Sequence, residues 1–378
     1  MKSSKLMCVA ALALFVAVPT ALASSKWYVD GVNGNDNNDC KTPQTACKTI
    51  GHAISLASSG DSIRVAASTY TETLTIGFSL SIVGAGARTT IIDGGGNGTV
   101  VTIDQTGAVV TLSGLTIRNG KRRSRGGGIS NAGMLAINNS TISQNLALVE
   151  PHTFAAGGGI YNAGTLTIRN STISRNSAQG VAGFNAQGGG IYNAGTLTLN
   201  NSTLSWNTVG VRPDPFRHCV VPDGGGIYSQ SETVTINNST LSWNSADNCE
   251  GVGEGGGIYG KVTVTLQNTI VANSPNGGNC SGTMTSKGYN LSSDNTCNFN
   301  GTGDLNNTDP LLGLLQNNGG PTQTQALLSG SPAIDAGNPK GCTDGNNHLL
   351  KTDQRGKPRP DKEDTSGCDM GAYERQKD

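Results

Sequence analysis

The chain has 378 residues, 54 of them Gly, with 35% hydrophobic, 4% aromatic and 14% charged residues and a formal net charge of zero. Globular domains run at roughly 45–50% apolar and about 25% charged, so both fractions are low, and no basic excess favours a nucleic-acid surface. The abundance of Gly and Asn disfavours a helical bundle, and Gly without a third-residue period excludes collagen, which leaves a disordered low-complexity chain or an all-β architecture with many tight turns.

Residues 1–23 predict a secretory signal peptide. Lys2 and Lys5 precede the apolar run Leu6 to Val18, Pro19 breaks it, and Ala21-Leu22-Ala23 fits a cleavage site. The run is too short to span a bilayer, and no later stretch is long enough. The mature chain is therefore expected in the cell envelope or outside the cell, with no membrane span. Export would place Cys40, Cys47, Cys219, Cys249, Cys280, Cys297, Cys342 and Cys368 in an oxidising compartment, where disulfides between sequence neighbours are expected. Thiolate metal sites are disfavoured because no C-x-x-C pair occurs.

Residues 24–60 predict a front cap. Ala46, Ile50, Ala53, Ile54 and Ala57 fall at helical spacing, as in a short amphipathic helix. The preceding loop carries Asp30, Asn33, Asn35, Asp36 and Asp39. These are hard oxygen donors, and a calcium site using Asp30, Asp36 and Asp39 is one reading. Asx-rich turns are the other, and they explain the composition without a cofactor.

Residues 61–304 carry the repeat. Gly-Gly-Gly-Ile opens five blocks, at Gly126, Gly157, Gly188, Gly224 and Gly255. Within a block the hydrophobic period is two. Leu166 and Ile168 alternate with Thr165, Thr167 and Arg169, Ile173 lies between Thr172 and Ser174, and Ile160 follows the glycines. The pattern predicts three short strands per repeat, each with one buried side. One unit cannot bury its apolar row alone, but stacked copies can. The predicted fold is a parallel β-helix with coils about 4.8 Å apart. Degenerate copies on both sides bring the total to about eight to nine coils. Asn139, Asn170, Asn201, Asn238 and Asn268 form one predicted column, and Asn145, Asn176, Asn207, Asn244 and Asn273 another. Asn suits left-handed corners and stacks into hydrogen-bonded ladders. Residues 305–378 lose the repeat and predict an irregular C-terminal cap held by Cys342 and Cys368.

The segments YVDGVNGNDNNDC, CKTIGHAISLASSGDSIRVAASTYTE, NNGGPTQTQALLSGSPAIDAG, TDQRGKPRP and CDMGAYE frame the repeat in that order. With them, nearly the whole mature chain resembles secreted bacterial β-helix proteins of the choice-of-anchor Q type. The resemblance implies a right-handed, pectate-lyase-like helix and a secreted or cell-envelope location, and it implies no settled activity. The repeat is also similar to that of polymorphic outer-membrane proteins, which are surface adhesins. Gly158-Gly159-Ile160-Tyr161 meets their first motif, while Ile173 replaces the Phe of their second.

Three sets of residues are candidate sites. Tyr161, Tyr192, Tyr228 and Tyr259 each follow an inward Ile, so alternation points them outward. They predict either an aromatic strip for sugar rings or a structural ladder packed on itself or under a loop. Trp206 and Trp243 share one position in adjacent coils, with Arg175 a coil earlier, and predict a sugar platform or packing against the loop. Asp223 and Glu254 each precede a glycine triplet, in a column with Gln187 and Arg125, near His218. Carboxylates one coil apart approach the roughly 5–5.5 Å of a retaining glycosidase pair. The G-H-G, R-I-K and D-P-H-D motifs of catalytic β-helices are absent. The expected function is adhesin-like, non-enzymatic binding of an extracellular glycan or surface partner by a monomer. The competing expectation is a polysaccharide lyase or glycoside hydrolase.

Overall fold

A computed structural model describes residues 24–149, 153–181, 184–212, 221–230, 233–247, 253–344, 348–362 and 367–377. One coil shows how the repeat folds. Its strands are Ile160–Asn162, Thr165–Arg169, Thr172–Ser174 and Ser177–Val181. Asn170 and Arg175 turn the corners with φ of 49° and 55°. A single left-handed residue bends the chain sharply and leaves its neighbours extended. All five Asn of the first predicted column have φ between 47° and 51°.

Equivalent residues pair in parallel. Ile160 faces Ile191, then Ile227, then Ile258. Ile173 faces Leu204, then Leu241, then Val271. All of these are fully buried in one continuous core. The architecture is a right-handed parallel β-helix, and its third face is a nine-stranded ladder.

The structure adds a fourth strand to the three expected per coil. Lys121–Arg123, Leu146–Leu148, Ser177–Val181, Thr208–Arg212 and Ser245–Asp247 form a five-stranded ladder of their own. It covers a small satellite core of Ala147, Ala178, Val209 and Ala246 beneath Ala155 and Ala186. Small inward residues give a weak alternation signal, so this stretch reads as loop in the sequence.

That extra ladder explains the glycine triplets. The first glycine turns the chain, with φ 66° at Gly188. The second lies against the fourth strand, where a Cβ on Gly189 would meet the Thr208 carbonyl oxygen at 2.2 Å. The third packs on the second Asn column. There Asn145, Asn176 and Asn207 each donate from Nδ2 to the next Asn Oδ1 at 3.0 Å. Asn273 does not belong to that column. Ser242 pairs with Ala272, so Asn273 continues the corner of Trp243, with φ 57°.

The front is closed by the helix Ile50–Leu56, which buries Ile50, Ala53 and Ile54. Ala46 lies ahead of the helix and Ala57 is its C-cap. Glu72 accepts hydrogen bonds from the backbone N–H of Ile50 and Gly51 at 2.9 and 2.7 Å, satisfying donors that a helix start leaves open. At the rear, Cys297 and Phe299 join the main core. Disulfides link Cys40 to Cys47, Cys280 to Cys297 and Cys342 to Cys368. The expected Cys219–Cys249 bridge lies outside the described residues.

The irregular C-terminal region lies on the third face: Leu327, Ala333 and Met370 pack with Ile270, Ala272 and Leu291, and among the described residues none beyond Phe299 joins the main core. It runs back along the third face toward the front. The Gln354 amide donates to the Ser171 carbonyl and the Thr172 hydroxyl, and Thr203 donates to Gln354 at 2.6 Å. Arg88, in an early coil, donates to Asn317 and to the Gly320 carbonyl. Outward Ser, Thr and Asn columns supply the partners that an irregular backbone needs. A buried clasp holds this strap. Arg359 Nε lies 2.7 Å from Glu374 Oε2, both side chains fully buried, and Arg355 Nε lies 2.7 Å from Asp353 Oδ2. Arg359 also donates to Asn201 Oδ1 at 3.0 Å. The segments TDQRGKPRP and CDMGAYE are thus the two halves of one clasp.

Candidate functional site

The first face carries the tyrosine column. Its outward register runs Thr75, Thr102, Ser130, Tyr161, Tyr192, Tyr228, Tyr259 and Ser281. The four rings stack with centroids 5.2, 5.1 and 5.3 Å apart. Tyr192 and Tyr228 are only 2% and 1% exposed. Phe154, from the preceding loop, packs on Tyr192. The ring faces are therefore taken by one another and by the loop, and an open sugar-stacking strip along the column is not what the structure presents. Only Tyr161 and Tyr259, at its ends, are partly accessible. Burial pushes the Tyr192 and Tyr228 hydroxyls up, so they stay neutral donors.

Beside this column run Arg125, Ala156, Gln187, Asp223 and Glu254, joined by parallel bridges. Asp223 and Glu254 sit on adjacent coils as the sequence predicts, and His218 lies outside the described residues. Asp223 is 8% exposed and accepts a 3.2 Å bond from the Gln187 amide. Burial raises its carboxyl to about 6, the Gln187 bond opposes this, and the nearby Glu254 adds to it. Glu254 is exposed and accepts from the Ser281 hydroxyl at 3.1 Å. A carboxyl raised on folding stabilises the fold fully below its unfolded value of 3.8, and that contribution is lost as pH rises through about 6. Asp223→Asn is expected to flatten the pH dependence of the unfolding midpoint between those two values. An unchanged pH profile would contradict the burial argument.

The tryptophans are arranged differently. Trp206 and Trp243 stack with centroids 5.1 Å apart and planes 7° apart. They are 40% and 37% exposed. Both occupy left-handed corners, with φ of 60° and 56°. Bulky residues seldom adopt this conformation, and such outliers cluster at functional sites. Arg175 and Gln144 continue the same corner column and are exposed.

The front-loop acids do not converge. Asp30 accepts from the backbone of Val32 and Asn33, Asp36 from Lys48 and Thr49, and Asp39 from Lys41 and Thr45. Asp30 and Asp39 serve residues two to six positions on, whereas Asp36 reaches across to the backbone N–H of Lys48 and Thr49 and the Thr49 hydroxyl at the start of the helix. Among the described residues, the one cluster of three potential metal ligands is Cys40, Cys47 and His52, and its cysteines are disulfide-bonded.

Sequence reasoning missed a pocket at the front end of the tyrosine column. It has a volume of about 490 Å³. Thr75, Thr102 and Ser130 stand there in the register of the tyrosines, and Arg122, Arg123 and Arg125 form a wall. The signal was Lys121-Arg122-Arg123-Ser124-Arg125, a dense basic run in a charge-poor chain.

No family model matches the sequence, and no curated protein matches it. Among solved structures, the chain is similar to the pectate lyase Pel9A, at 14% identity and a TM-score of 0.50, over 94% of this chain and 98% of that one. A lacto-N-biosidase of the GH136 type from Eubacterium ramulus also matches, at 14% identity and a TM-score of 0.38, over 71% of this chain and 60% of that one. The pectin methylesterase PemA from Erwinia chrysanthemi matches at 12% identity and a TM-score of 0.27, over 74% and 81%. At such identity the likeness to Pel9A is one of fold: the chain has the pectate-lyase-like parallel β-helix.

Proposed function

We propose that the protein is an extracellular or cell-envelope β-helix that binds a glycan without cleaving it. The carrying observation is the Trp206–Trp243 pair, two stacked, exposed indoles held at strained corners where the neighbouring coils place Arg, Gln or Asn. Exposed indoles stack on the apolar faces of sugar rings, and Arg175 adds a hydrogen-bond donor one coil away. The three disulfides fit an oxidising compartment. The resemblance of the repeat to surface adhesins fits a binding role, and the pectate lyase fold neighbour is in keeping with a carbohydrate ligand.

A glycan array followed by a reducing-end assay tests this. Trp206→Ala with Trp243→Ala is expected to weaken binding of a neutral hit at least tenfold, the loss typical when aromatic anchors of a binding site are truncated, with no change in the unfolding midpoint. An enzymatic reading rests on the raised Asp223 beside Glu254. New reducing ends that vanish in Asp223→Asn would establish it and overturn the non-enzymatic one.

A further inference from the structure

The pocket in front of the tyrosine column departs from the repeat in a specific way. The fourth-strand register runs Arg122, Ala147, Ala178, Val209 and Ala246. The last four are fully buried, whereas Arg122 is exposed. The later coils roof this register with Ala155–Ala156 and Ala186–Gln187. In the coil where the fourth-strand ladder begins, only Ser124 and Arg125 separate Arg123 from Gly126, so the chain has no length for a roof. The position is left open, and it carries a guanidinium where the repeat calls for a small apolar residue. Positions where local rules are broken are expected to be functional.

The chemistry around it is consistent. Among the described residues the lining includes three arginines and no carboxylate. The floor is made of hydroxyls from Thr73, Thr75, Thr99, Thr102 and Ser130. Arg125 is held in place by a 3.1 Å bond to the Tyr161 hydroxyl and by the rings of Phe154 and Tyr161, each 5.1 Å away. A planar guanidinium matches carboxylate and sulfate oxygens, and a hydroxyl floor matches a polyol.

We infer that this pocket binds an acidic sugar unit, its carboxylate or sulfate held by Arg122 and Arg125 and its hydroxyls by the Thr and Ser floor. The inference builds on the carbohydrate reading but uses a different site from the tryptophan pair. The test is calorimetric titration of the full chain with four probes: hexagalacturonate, a heparin hexasaccharide, neutral cellohexaose and a short polyphosphate. One acidic hexasaccharide is expected to bind at least ten times more tightly than cellohexaose, and the one preferred separates carboxylate from sulfate. Arg122→Gln is expected to weaken it about tenfold, the loss typical of one charge-assisted contact. Arg125→Gln should act likewise, and Trp206→Ala with Trp243→Ala should leave the preference for acid intact. Equal binding of cellohexaose, equal binding of polyphosphate, an unaltered Arg122→Gln, or no binding of either acidic probe would each overturn the inference. Binding of cellohexaose alone would do so while leaving the carbohydrate reading standing.

Discussion

Replacing Arg359 by Ala is expected to cost about 3–5 kcal/mol, the loss found when one partner of a buried ion pair is removed. Burial already pushes the Glu374 carboxyl up against the opposing pull of Arg359, and without that partner it would be left uncompensated in a site with no exposed surface. It also accepts from the Asp369 backbone at 3.1 Å, and its backbone donates to Asp353 at 3.1 Å, so the loss reaches both halves of the clasp. The Arg359→Met, Glu374→Leu double variant is expected to recover most of the loss, because replacing both charges removes the desolvation cost as well as the attraction. Denaturant midpoints at constant slope measure both variants. If Arg359→Ala alone left the midpoint unmoved, the strap would not be anchored by this pair. Because the strap reaches from the Asn268 corner to Arg88, releasing it should also open the third face to proteolysis.

Gly189→Ala is expected to be worse than ordinary overpacking, at about 4 kcal/mol or more. The new methyl would meet the Thr208 carbonyl oxygen at 2.2 Å and the Gly225 carbonyl oxygen at 2.6 Å. Both are backbone atoms of adjoining strands, so neither can swing away. In a solenoid each coil is stabilised by its neighbours, and a wedge in a central coil should split the stack into two weaker pieces. Yield of folded protein and resistance to protease report the damage. Gly107→Ala is the matched control. A Cβ there has nothing within 4 Å, and its effect should stay within about 0.5 kcal/mol.

The glycines also show how much of the molecule was legible in the sequence. Alternation of Leu166 and Ile168 with polar neighbours, repeated every coil, specified the core column and its register. The capping helix followed from Ile50, Ala53 and Ile54. The triplets were visible as a marker of the coil, but their cause was not. That cause is the fourth strand, whose inward residues are Ala147, Ala178 and Ala246, too small to stand out in a pattern. The strap was illegible for another reason. Its contacts join residues such as Gln354 and Ser171 or Arg359 and Asn201, over 150 positions apart, and polar side chains carry no period.

The site divides along the same line. Position in the repeat placed Tyr161, Tyr192, Tyr228 and Tyr259 in one column, and Asp223 beside Glu254, as found. It could not say which outward residues stay exposed. Phe154 sits in a variable loop, and its packing on Tyr192 decides the matter. The arginine pocket depends on a roof that ends one coil early, a feature of loop length read against a ladder the sequence did not reveal.

The most direct test of a carbohydrate-binding role uses the protein's own fluorescence. Only three tryptophans are present. Trp27 is buried, with its indole N–H donating to Asp61 at 2.9 Å, so Trp206 and Trp243 should dominate any response to a surface ligand. Titration with a neutral glycan selected on the array is predicted to give a saturable change in emission that disappears in the Trp206→Ala, Trp243→Ala variant. Binding that leaves the emission unchanged, or a response that survives in the variant, would contradict the account.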